Sequence, residues 1–165
     1  MIDENEPNRT PSEDPSRGRS TPLEIASLVG YALLGGAAVA LIARREIFGV
    51  GLVAQAIQVL GLALMVWARV TFRARSFHLA ANATEGGLVT TGPYRFVRHP
   101  VYASALVILA PAVATHASIE TIGIGALALV GVALRVVAEE RLVTARYPEY
   151  AAYAKRTKRL VPFVF

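Results

Sequence analysis

The chain has 165 residues, 54% of them hydrophobic, a net charge of +5 at pH 7 and a mean hydropathy of +0.45, an apolar bias that argues for helices in a bilayer and against a soluble globule. It contains no cysteine, which excludes disulfides, thiolate metal sites and cysteine nucleophiles, and its three histidines, His78, His99 and His116, are scattered without metal-ligand spacing. Residues 1–21 carry a balance of −2, leaving +7 on the rest; a membrane protein presents such charge to anionic lipid headgroups, and no nucleic-acid module is expected.

Residues 1–21 are rich in Pro, Ser, Glu, Asp and Arg, with Ile2 the one large apolar residue after Met1. Too little surface is available there to offset the entropy of ordering, so a disordered tail is expected, and without a basic start or an apolar core it does not read as a signal peptide. Pro22–Ala43 is the first expected span, with Pro22 suited to a first helical turn and Gly36 and Ala40 spaced for close approach of a second helix. Arg44, Arg45 and Glu46 close it. Ile47–Ala68 is the second, with Trp67 as an interfacial anchor; Gln55 and Gln58 share a face, where interhelical hydrogen bonds are expected. Residues 22–70 thus read as a two-helix membrane anchor.

The connection over 71–91 alternates Phe72, Phe77 and Leu79 with Arg73, Arg75 and His78 and ends in Gly86-Gly87, a pattern for a segment lying along the membrane surface. Gly92-Pro93 breaks any preceding helix and Pro100 fits the first turn of the next. Val101–Thr115 is apolar but short of a full span, and a kink is expected at Pro111; Ile119–Ala138 is long enough to cross, making a tight hairpin through His116-Ala117-Ser118. From Glu139 onward the chain reads as an amphipathic surface helix with Leu142, Val143, Tyr147, Tyr150 and Tyr153 on one side. The fold class is therefore an all-α integral membrane protein of about four hydrophobic helices plus a C-terminal amphipathic helix. Arginines crowd the 69–98 stretch and the C-terminal stretch but avoid the 115–120 turn, which predicts both termini on the cytoplasmic side.

Three polar features exceed what anchoring needs. In Arg98-His99-Pro100-Val101-Tyr102, the arginine reads as an ordinary positive-inside residue and the tyrosine as a belt aromatic, but His99 beside a helix start is left without such a reason. A helix N-terminus there offers N–H groups to an anion. Arg135 and Glu139 are four apart, as in an intrahelical ion pair, which leaves Glu140 unexplained. The third is Tyr150, Tyr153 and Arg159-Leu160-Val161-Pro162-Phe163, which composition alone reads as a surface helix.

Taken in order, Thr91-Gly92-Pro93-Tyr94-Arg95-Phe96-Val97-Arg98-His99-Pro100-Val101-Tyr102, the hydrophobic hairpin, Arg135, Glu139-Glu140 and the Tyr-x-x-Tyr…Arg-Leu-Val-Pro tail resemble the isoprenylcysteine carboxyl methyltransferase family over residues 88–163. Ser104 stands where that family often has Gly, and Tyr147-Pro148 where it has Phe-Gly. The resemblance implies that residues 92–165 form a cofactor-binding and catalytic membrane region using S-adenosylmethionine. It implies that Tyr94, Arg98, His99, Pro100, Tyr102, Glu139 and Glu140 bind the cofactor, with Arg135 and Glu139 catalytic and Arg135 near the methyl acceptor. Partners expected from it are membrane lipids and a lipophilic or lipidated acceptor, either a carboxylate or a lipid amine. Two other readings stay open: an NADPH-dependent membrane reductase of the sterol-reductase type, and a non-enzymatic membrane scaffold.

Overall fold

A computed structural model describes residues 22–72 and 88–162. The expected disordered tail over 1–21 and residues 73–87 of the surface connection lie outside the described residues. Those described are helical: α1 Pro22–Ala43, α2 Leu52–Phe72, a 3₁₀ turn Gly92–Arg95, α3 Pro100–Thr115, α4 Ile119–Arg146 and α5 Tyr150–Arg156. Three of them, α1, α2 and α4, are long and apolar enough to cross a membrane, and α3 is a shorter apolar helix. The chain is a multi-pass membrane protein.

Contacts at the helix ends fix the order of passage. At one end, Ser27 of α1 meets Arg135 of α4, and a Cβ on Gly92 would lie 2.6 Å from Thr71 Oγ1 of α2. At the other end, Arg44 Nη1 pairs with Glu120 Oε2 at 2.7 Å, and the Val50 N–H donates to Thr115 Oγ1 at 3.0 Å. The helices therefore alternate in direction, with α1 packed chiefly on α4 and α2 on α3.

Glycines set these pairings by letting backbones approach. A Cβ on Gly30 would lie 2.7 Å from the Gly131 carbonyl oxygen, and one on Gly131 would lie 2.7 Å from that of Gly30, while Gly61 faces Val107 and Ile108 of α3 at 2.9–3.2 Å. The expected close approach at Gly36 and Ala40 is not used in this way: a Cβ on Gly36 would have nothing within 4 Å. Small residues permit contact, but the partner helix is chosen by the polar groups it must satisfy.

The limits of two spans differ from the sequence expectation, and the second also runs on past Ala68 to Phe72. The second span begins at Leu52 rather than Ile47 because 44–51 is a turn, with Gly51 at φ +90°. Gln58 holds that turn: its Oε1 accepts from the Gly49 N–H at 2.9 Å, and its Nε2 donates to the carbonyls of Ile47 and Ile108, each at 2.9 Å. The fourth span does not stop at Ala138 but continues through Glu139 to Arg146, since no helix breaker intervenes before Pro148. Its start is secured by a capping box in which the Ser118 Oγ accepts from the Thr121 N–H and the Thr121 hydroxyl accepts from the Ser118 N–H. The separate amphipathic helix is consequently short, Tyr150–Arg156. At 1.5 Å per residue, Glu139 lies about 30 Å along α4 from Ile119, close to one hydrocarbon thickness. The polar cluster thus forms where α4 leaves the apolar layer.

Candidate functional site

The polar motif and the tail are joined by main chain before any side chain is considered. Val97 and Lys158 form a short parallel bridge. The Arg98 N–H donates to the Lys158 carbonyl at 2.7 Å, the His99 N–H to that of Arg159 at 3.0 Å, and the Lys158 N–H to that of Phe96 at 3.2 Å. Tyr153 of α5 adds a hydroxyl bond to the Tyr94 carbonyl at 2.6 Å, and burial pushes its own pKa up to about 12. The end of α5 is thereby laid against the start of α3.

Arg98 locks this arrangement. Its Nε donates to Glu140 Oε1 at 2.9 Å, and its Nη1 donates to the carbonyls of Ala154 and Thr157 at the C-terminal end of α5. A guanidinium there satisfies carbonyls that the helix leaves open and sits at the negative end of its dipole. Glu140 receives a second cation, Arg159, whose Nε lies 3.0 Å from Oε2.

His99 lies between two carboxylates. It is 8% exposed, with Nδ1 3.4 Å from Glu139 Oε2 and Nε2 3.5 Å from Glu140 Oε1. These are ion-pair distances, longer than good hydrogen bonds, and Nε2 has no hydrogen-bond partner among the described residues. Burial acts to lower the imidazolium pKa, but the two glutamates outweigh it and hold it above the ordinary value.

The other wall is centred on Arg135, 1% exposed on α4. Its Nε donates to the Tyr102 hydroxyl at 2.7 Å, its Nη2 to Glu139 and its Nη1 to Ser27. Tyr102 in turn donates to Glu139 Oε1 at 2.6 Å. All these groups leave the water or headgroup layer together, so each needs the others: a buried charge stripped of its partner is strongly destabilising.

The structure therefore brings Arg98, His99, Tyr102, Arg135, Glu139 and Glu140 into one connected cluster, with Arg159 joining from the tail. Pro100 is buried at the first turn of α3, where its missing N–H costs nothing and its fixed φ starts the helix directly after His99. Tyr94 stands to one side: its ring packs on Phe72 of α2 with centroids 5.7 Å apart, and burial raises its hydroxyl pKa. Two α1 residues escaped the sequence reading. Ser27 accepts from Arg135, and the Tyr31 ring lies 3.7 Å from the Arg135 Cζ. The available signal was their spacing, two polar side chains four apart on one face of an otherwise apolar span.

Comparison with known proteins adds three findings. Residues 46–145 match the family described as the isoprenylcysteine carboxyl methyltransferase family. The cobalt-zinc-cadmium resistance protein CzcN of Cupriavidus metallidurans is 36% identical over 76 residues, covering 46% of this chain and 35% of that protein. No solved structure matches the chain.

Proposed function

The chain belongs to the isoprenylcysteine carboxyl methyltransferase family, and from that premise we propose that it is a membrane methyltransferase that takes its methyl group from S-adenosylmethionine and passes it to a lipophilic or membrane-associated acceptor. The observation that carries this reading is the cluster built from Arg98, His99, Tyr102, Arg135, Glu139 and Glu140, charged groups gathered at one end of an apolar bundle. Anchoring alone does not require their burial.

The chemical character of these residues suits the donor. When bound, it supplies an electrophilic methyl carbon on a sulfonium, and transfer is an in-line displacement that depends on positioning. Glu139 and Glu140 would hold its ammonium group, and the face of Tyr102 its sulfonium. His99 Nε2, buried and lacking a hydrogen-bond partner among the described residues, would make a contact to it. Arg98 is already engaged by Glu140 and two carbonyls of α5, so its part is to hold α5 and Glu140 in place. Its contribution to the donor's carboxylate is then secondary to that of the α3 N-terminus.

The state of His99 bears on the acceptor. An amine must give up a proton on methylation, and an imidazole whose own proton is favoured by two flanking carboxylates is the poorer acceptor for it. A carboxylate needs no base, so this environment favours a carboxylate acceptor. We place the cluster on the cytoplasmic side, because Arg69, Arg95, Arg98, Arg141, Arg146, Lys155, Arg156, Lys158 and Arg159 lie at its end of the bundle and Arg44 and Arg45 at the other.

Titration of the purified protein with S-adenosylmethionine, followed by calorimetry or thermal shift, tests the proposal. Binding is expected, weakened about tenfold or more by His99→Ala and by Glu140→Ala, each of which removes a charged partner. A thermal shift with NADPH and none with S-adenosylmethionine refutes it.

A further inference from the structure

The family match begins at residue 46, so α1 lies outside it, yet α1 reaches the polar cluster. Ser27 accepts from the Arg135 Nη1 and is itself fully buried. One turn later the Tyr31 ring lies against the same guanidinium, at 3.7 Å from Cζ to the centroid, well inside the range of a cation–π contact. Gly30 sits between them, and a Cβ there would fall 2.9 Å from the Arg135 Cγ. Three adjacent features of α1 are thus shaped around one side chain of α4.

Tyr31 has a second neighbour. With Leu34, Ala38, Met65, Ala105 and Ile108 it lines an apolar cavity of about 310 Å³ between α1, α2 and α3. One ring therefore separates an apolar cavity from a buried charged cluster. The cavity would take the apolar body of an amphiphile, and Tyr31 is the lining residue that also meets Arg135.

We propose that Ser27 and Tyr31 are positioning residues through which α1 sets acceptor specificity. Ser27 fixes the Arg135 guanidinium in rotation, and Tyr31 forms the wall that aligns the acceptor's head with its apolar body. This rests on the methyltransferase reading. Both residues act on Arg135 from the α1 side, whereas the donor contacts assigned above come from α3 and from Glu139 and Glu140, so the acceptor is expected to respond more than the donor.

The test uses the full chain in detergent, with Ser27→Ala, Ser27→Thr, Tyr31→Leu, Tyr31→Phe and, as an outward-facing control on α1, Gly36→Ala. Each is titrated with S-adenosylmethionine. Each is then assayed for methyl transfer to N-acetyl-S-farnesylcysteine and N-acetyl-S-geranylcysteine, or to the methylated component of a membrane extract where neither is accepted. Expected is a rise in acceptor KM of about tenfold for Ser27→Ala and Tyr31→Leu, with donor affinity held within about twofold. Ser27→Thr and Tyr31→Phe, which keep the hydroxyl and the ring, should recover most of that loss, and Tyr31→Leu should also change the ratio between the two prenyl lengths. Donor affinity and acceptor KM worsening in parallel, failure of the conservative pair to recover, or five variants alike would overturn the inference while the methyltransferase reading stands. A wild-type chain that binds no S-adenosylmethionine, or transfers no label to any acceptor, overturns that reading and this inference with it.

Discussion

At the scale of single residues, Arg98 and His99 divide the labour of the motif. Arg98 makes contacts in two directions, to Glu140 and to the end of α5, a task for a planar fork that a lysine's single ammonium cannot reproduce. Arg98→Ala should destabilise the protein by about 3 kcal/mol, the scale for breaking a buried pair, and Arg98→Lys should recover little of it. Thermal unfolding in detergent measures both. His99 supplies a pH dependence whose sign is fixed by its environment. Its folded pKa lies above the unfolded value, so the folded chain binds the proton more tightly. The stabilisation is complete below the ordinary imidazole pKa of about 6.5 and is lost as pH rises through the raised value. The unfolding midpoint should therefore fall as pH is taken upward from neutrality, and His99→Gln should flatten that slope. A midpoint that rises over the same interval would contradict the placement of His99 between the two glutamates.

At the scale of elements, the α1–α4 contact is the most demanding. Gly30 and Gly131 face each other with backbone oxygens where side chains would be. Gly131→Ala should cost about 1–3 kcal/mol through forced separation of the helices, whereas Gly36→Ala, with open space around it, should stay within about 0.5 kcal/mol or stabilise slightly. Comparing the two melting curves separates packing from helix propensity. These glycines also show what the sequence makes legible. The extent of α1 follows from an apolar run begun by Pro22 and closed by Arg44 and Arg45. The α2 start did not follow, because Ile47 and Phe48 are as apolar as the helix they precede and are held back by distant partners, Gln58 and His116. The sequence likewise points to Arg98, His99, Arg135, Glu139 and Glu140, since ionisable groups at the ends of apolar runs are conspicuous. Ser27 and Tyr31 show in it only as two polar side chains four apart on α1, because helix pairing, decided in three dimensions, is what turns them towards Arg135.

At the scale of the whole molecule, the two ends of the bundle differ in kind. The end holding Arg44, Glu46 and Glu120 is a small clip that ties the α1–α2 turn to the α3–α4 turn. The other gathers α1, α3, α4, α5 and the tail around one cluster. A reporter fused at Phe165 should read as cytoplasmic, because the basic residues concentrate at this end; a signal from the opposite side would invert the assigned orientation.

The bridge between Val97 and Lys158 has a consequence for biosynthesis. Arg98 finds its α5 carbonyls 56 and 59 residues further along the chain, just past the end of α4 at Arg146, so the start of α3 waits for α4 and α5 together. This end of the nascent bundle must stay hydrated until the tail arrives and seals it. Closure of the cluster is therefore a late event in assembly, because it needs α4 and α5 in place as well as α3.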